Sequence, residues 1–227
     1  MMSCFKKIQF ALLLLLTHTA FGGTMGPDYN AYDGIYVGVD VGVAVLNDAV
    51  TTNFPSTSIQ LAHTGVVGGG LIGYDFSVGQ RFKVGVEFLA NAAGLNASSR
   101  RFAENTSYSV GESYYLAPRV LPGFLFYDKV VGHVILGYTN ASFNIKDNGQ
   151  TGFINKTANQ SGFQAGLGMK VELIQNFTLR ADAVYSIYQT LSGTGSSNTN
   201  LYAYQKYSNQ FSSIEGNLIF IYKFVNL

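Results

Sequence analysis

From Gly34 onward the chain alternates with a period of two. Ile35, Val37, Val39, Val41, Val43 and Val45 fall on one face of an extended segment, and Tyr36, Gly38, Asp40, Gly42 and Ala44 on the other. That period is the signature of a strand with two unlike faces; a helix would scatter the same residues around its circumference. The pattern returns where Phe177, Leu179, Ala181, Ala183, Tyr185 and Ile187 alternate with Thr178, Arg180, Asp182 and Ser186. It returns again where Ile214, Leu218, Phe220, Tyr222 and Phe224 alternate with Ser213, Glu215, Asn217 and Lys223. Each time one face is apolar, while the other mixes small residues with charges.

Eight such segments are read at 34–46, 64–76, 82–93, 110–126, 130–143, 162–173, 177–189 and 211–224. Short connections at 77–81, 127–129 and 174–176 alternate with long polar ones at 47–63, 94–109, 144–161 and 190–210. Tight turns on one side and long loops on the other describe an all-β, eight-stranded antiparallel up-and-down transmembrane β-barrel. Closure pairs every backbone group between strands, which hydrocarbon demands. Eight strands leave an interior just wide enough for side chains to fill.

Composition narrows the classes. With 47% hydrophobic and 14% aromatic residues the chain has too much apolar surface for disorder. Its 14 Lys+Arg against 13 Asp+Glu leave no surplus for phosphates, so no nucleic-acid partner is expected. No apolar run reaches the roughly 18 residues of a spanning helix. A soluble eight-stranded barrel would turn its apolar face inward around a ligand. Here Asp40, Glu87, Arg119, Lys170, Glu172, Arg180, Asp182, Glu215 and Lys223 all lie opposite the apolar face. They are expected to form a paired charge network in the lumen, Glu87 with Arg119 and Arg180 and Asp182 with Lys170 and Glu172.

The amino-terminal residues read as an address. Lys6 and Lys7 precede the apolar stretch Ile8–Leu16, and small residues flank Phe21 at Ala20 and Gly22. This is the layout of a secretory signal peptide over residues 1–22, leaving residues 23–227 as one barrel domain. The single cysteine, Cys4, leaves with the signal.

The segment Thr64-Gly-Val-Val-Gly-Gly-Gly-Leu-Ile-Gly-Tyr74, a short turn and Lys83-Val-Gly-Val-Glu87 resemble the second hairpin of small Gram-negative outer-membrane β-barrel proteins. Gly34-Ile-Tyr-Val-Gly38 resembles their first strand. Gly162-Phe-Gln-Ala-Gly-Leu-Gly168 and Phe177-Thr-Leu-Arg-Ala-Asp182 resemble their sixth and seventh. The resemblance is to the superfamily of OmpA-like, OmpX-like and opacity-type barrels. It implies the cell outer membrane, insertion by the barrel-assembly machinery, and contact with outer-membrane lipids and lipopolysaccharide. Members of that superfamily commonly end on an aromatic that the machinery reads; here Tyr222-Lys-Phe224 is followed by Val225-Asn-Leu227, a departure from that pattern.

Candidate chemistry is sparse. Gly68-Gly-Gly70-Leu-Ile-Gly73 has the G-x-G-x-x-G spacing, but a strand follows where a dinucleotide site needs a helix. His63 and His133 have no converging Cys, His or Asp set, so no metal, cofactor or catalytic residue is assigned. Aromatics at the strand ends, namely Tyr36, Phe76, Phe82, Phe126, Phe177, Tyr185, Phe220, Tyr222 and Phe224, are expected in interfacial belts. In the long loops Tyr108, Tyr202, Tyr204 and Tyr207, with Lys206, offer contact area and adaptable hydrogen bonds. Arg100 and Arg101 can meet phosphates bidentately. The expected role is structural and surface-interacting, non-enzymatic, through four long loops that are candidates for a host or matrix ligand. The rivals are a small-solute channel and, behind it, a lipid-modifying enzyme centred near His63.

Overall fold

The computed structural model describes residues 33–53, 56–101, 106–127, 129–149, 152–174, 176–195 and 205–224, all within one compact unit, Ala31–Leu227. The expected signal peptide lies outside the described residues. The strands are β1 (Gly34–Asn53), β2 (Ser56–Val78), β3 (Phe82–Arg101), β4 (Thr106–Tyr127), β5 (Val130–Gly149), β6 (Gly152–Ile174), β7 (Phe177–Tyr188), β8 (Leu191–Gly195) and β9 (Gln205–Lys223). From β1 to β7 each strand pairs antiparallel with the next, β7 pairs with β9, and β9 pairs back onto β1. Both β7 and β8 pair with β9, so together they make one wall strand interrupted at Gln189 and Thr190. The result is a closed eight-stranded barrel.

Its dimensions follow from the register. Cross-strand partners run from Tyr36 through Gly73, Glu87, Arg119, Gly137, Gln164, Ser186 and Ser213 to Leu46. One circuit therefore returns to β1 ten residues further on (46 − 36). With standard strand spacings this shear sets a tilt of about 41° and a backbone radius of about 8 Å. Tilt in turn fixes the membrane span. On β1 the outward apolar residues run from Ile35 to Val45, about 33 Å along the strand. After tilting, that is about 25 Å, the height of an outer-membrane apolar band.

The turn end of the band carries an aromatic girdle. Phe82, Phe124 and Phe126 meet edge to face at 5.3 and 5.5 Å, and Phe177, Tyr222 and Phe224 do so at 5.1 Å each. Tyr36 is a correction: it was expected in this belt, but its parity points it inward and it is 1% exposed. The tight turns use the left-handed conformation at Gly79 (φ 81°) and Asn176 (φ 74°), the residue types that tolerate it best.

The expectation of long loops is corrected at three of the four connections, those at 47–63, 94–109 and 144–161, while residues 196–204 of the fourth lie outside the described residues. β1 runs to Asn53 and pairs with Ser56 at the start of β2, and β5 and β6 pair out to Gly149 and Gly152. Thr, Ser and Asn on both faces mark where a strand leaves hydrocarbon, whereas a hairpin partner still satisfies the backbone in water. Past the band the polarity inverts. Gln60, Thr64, Asn96, Ser98, Thr157, Asn159 and Gln210 are exposed outside. Leu46, Leu95, Val110, Phe143, Ile145 and Phe211 are buried inside. This hairpin end is built like a soluble barrel.

Candidate functional site: a filled and lidded lumen

Inward positions from all eight wall strands meet in a narrow bore, so every lumen charge faces partners across it. At the turn end, Asp75 on β2 accepts from Lys170 of β6 and Lys223 of β9, each at 2.7 Å. Lys83 donates to Ser77, which in turn donates to Asp33. Ammonium groups from three strands thus gather around two carboxylates.

The next layer is centred on Glu87. Arg180, four strands away, grips it with two bonds of 2.7 and 3.0 Å, and Tyr36 donates to it at 3.1 Å. Arg119 on the adjacent strand is a more distant partner, 3.9 Å from Glu87, and donates from Nε to Gln164 at 2.8 Å. Gln164 passes the chain on to Ser186 at 3.0 Å. Arg180 also lies 3.0 Å from Asp182, which meets His133 at 3.0 Å. These groups are essentially sealed from solvent, where an unpaired charge would be untenable. Glycines make the room. A Cβ at Gly73 would collide with the Tyr36 ring, and one at Gly168 with both Asp182 and His133.

Above this layer no base is buried among the described residues. Asn91 bridges Asp40 and Tyr115, and Tyr115 donates to Glu215 at 2.7 Å. Past the apolar band comes the lid. Phe143 stacks on Phe211 at 4.4 Å and 9°, with the Tyr188 ring edge-on at 5.0 Å. Among the described residues Glu112, bonded by Tyr188 at 3.3 Å, lies at this level, and Asp48, bonded by Asn209 at 3.3 Å, lies just beyond it. Glu112 lies beyond Tyr114, the last outward apolar residue of β4, and so outside the spanning segment. Burial, then the charge of Glu215, pushes its carboxyl up to about 8 against the weaker pull of the Tyr188 bond.

The sequence-derived network is thus placed as follows. Asp40, Glu87, Arg119, Lys170, Arg180, Asp182, Glu215 and Lys223 are all buried in the lumen. Two expectations need correction. Glu172 is only half-buried at the turn end of β6, and no ion pair reaches it among the described residues. The pairing also differs: Lys170 turns to Asp75 across the bore rather than to Asp182 on the neighbouring strand. Asp75, Lys83, Asn91, Glu112, Tyr115 and Gln164 were missed. Strand parity alone would have found Asp75, since it shares the inward face of Gly69 and Gly73.

Of the recognition candidates, Arg100 and Arg101 end β3, Tyr108 lies on β4, and Lys206 and Tyr207 open β9, all on paired strand rather than in loops. Tyr202 and Tyr204 lie outside the described residues. His63, on which the enzyme reading centres, is exposed on β2.

Residues 10–214 match a family described as the outer membrane protein beta-barrel domain. Among solved structures, the outer membrane protein OprG of Pseudomonas aeruginosa is similar in fold, with a TM-score of 0.53 at 14% identity over 86% of this chain and 98% of that one. Ail of Yersinia pestis, solved with the heparin analogue sucrose octasulfate, has a TM-score of 0.37 at 13% identity, covering 81% and 99% of the two chains. The outer membrane protease OmpT of Escherichia coli has a TM-score of 0.45 at 8% identity, covering 90% and 99%. No curated protein matches the sequence.

Proposed function

Because the chain belongs to the outer membrane protein beta-barrel domain family, we propose that it is a non-enzymatic surface protein whose closed barrel holds rigid hairpin ends out from the outer membrane. Residues 1–22 direct its export, the barrel-assembly machinery inserts it, and the hairpin ends face outward to meet lipopolysaccharide and a host or matrix surface. The observation that carries this reading is the stacked Phe143–Phe211 lid above a filled bore. A lumen packed at both levels leaves the outer surface as the working part.

The register gives that surface a charge. Arg100 and Arg101 end β3, and Lys146, Lys156 and Lys206 stand on the extensions of β5, β6 and β9. Of the described acids near this end, Asp48 and Glu112 are buried inside, and Asp147 stands next to Lys146 on β5. A rim weighted toward bases favours an anionic partner.

Substituting Arg100, Arg101 and Lys146 together by serine tests the reading. Binding of barrel-bearing cells to a host or matrix surface should fall by about tenfold, while the heat-modifiable gel shift of the folded barrel stays unchanged. Undiminished binding by a normally folded variant would refute it. A small-solute channel is the second reading. It draws support from the Arg119 guanidinium, whose Nη1 and Nη2 have no hydrogen-bond partner and so could serve a passing solute.

A further inference from the structure

An apolar lid has no need of a carboxyl group, yet Glu112 sits inside this one, 2% exposed. On either side of it in the sheet stand Leu95 of β3 and Phe143 of β5. The titratable groups facing it are Tyr188 from β7 and Glu215 from β9. From β1 the lid receives apolar Leu46, with Asp48 further out and held by Asn209. The nearest base along β4 is Arg119, engaged below with Glu87 and Gln164. Glu112 Oε2 has no hydrogen-bond partner, and no ion pair reaches the group among the described residues.

We propose that Glu112 makes the lid a pH-sensitive closure, packed while the carboxyl carries its proton and loosened when it ionises. This rests on the reading of the lumen as closed by that lid. A neutral carboxyl is tolerated beside Phe143 and Tyr188, but an anion there is stripped of water and repelled by Glu215. The packed lid therefore binds one more proton than the loosened lid. Packing is then favoured at low pH and lost as pH rises through the range where Glu112 ionises. Position strengthens the effect. Glu112 lies in the half of the bore above the membrane band, where the barrel wall is held by its own core rather than by lipid.

The test places a thiol in the lid. Ala141 is buried there, and Cys4 is the chain's single cysteine. In the full-length chain carrying Cys4→Ser and Ala141→Cys, the rate of maleimide labelling is followed between about pH 6 and pH 9. The same measurement is made with Glu112→Gln added, which keeps the shape and the Tyr188 partner but cannot ionise. The quotient of the two rates cancels the titration of the thiol itself. It should rise by about tenfold across that range. Slow labelling in both backgrounds at every pH, with a flat quotient, would overturn the switch and leave the closed lid standing. Fast labelling in both at every pH would overturn the lid, and the switch with it. Hydrogen exchange on the unsubstituted chain gives an independent reading. After correction for intrinsic rates, amides of Val110, Phe143 and Phe211 should lose protection at high pH while those of Val37–Val43 do not. Equal behaviour of the two groups would also overturn the proposal.

Discussion

Replacing Glu87 with alanine should lower the stability of the folded barrel by about 3–5 kcal/mol, the cost of stranding buried charge. Glu87 is the shared acceptor of Arg180, Tyr36 and, at longer range, Arg119. Both arginines are sealed from solvent. Alanine would leave Arg180 with only the Asp182 contact and Arg119 with only its bond to Gln164. Glu87→Gln should cost less, since an amide oxygen still accepts from Tyr36 and one arginine. A double-mutant cycle with Arg180→Ala should show coupling of about 1–3 kcal/mol. Urea unfolding followed by gel shift reads all three. A Glu87→Ala barrel as stable as the parent would mean that the bidentate pair is not what holds β3 to β7.

Phe143→Ala should be comparably severe, about 3–5 kcal/mol, for a different reason. The ring is fully buried between Phe211 and Tyr188, from β9 and β7, and is the largest apolar group joining β5 to that side. Removing it deletes apolar contact and leaves a cavity that rigid strands cannot collapse to fill. Because the lid lies past the membrane band, surrounding lipid cannot compensate. Phe143→Leu should recover most of the loss. The two damages sit in separate layers without shared partners, so the Glu87→Ala and Phe143→Ala losses should add. A Phe143→Ala barrel with unchanged unfolding would show that the outer half is held by its hairpin ladders alone.

Much of this fold is written in the alternation. On β1 the sequence of Ile35 to Val45 assigns both faces without ambiguity, and the turns at Gly79 and Asn176 fall where short polar connections interrupt it. The ends of the strands were not legible. Thr51, Thr52 and Asn53 look like loop because polarity reports contact with water, while strand character there comes from pairing with Ser56–Ser58. Period-two reading also fails at irregularities. Glu112 faces inward on an even position although Tyr115, Ala117 and Arg119 do so on odd ones, because the β4 register shifts between Glu112 and Tyr114. The partner choices were hidden for a geometric reason. Adjacent-strand logic favours Glu87 with Arg119, but the bore is narrow enough for Arg180, on the opposite wall, to reach Glu87 with better geometry. That reach depends on the ten-residue shear, a property of closure that no single segment displays. Tyr36 shows the same effect, since its parity was readable while its depth in the bore was not.

The most direct test of the central claim is ion conductance of the folded barrel in a planar bilayer, after gel shift has established that it is folded. A bore occupied by the Glu87–Arg180–Arg119 layer and capped by Phe143 and Phe211 should be silent near neutral pH. Reproducible unitary steps that change with Glu87→Ala or Arg119→Ala would contradict the closed lumen and put the small-solute channel in its place.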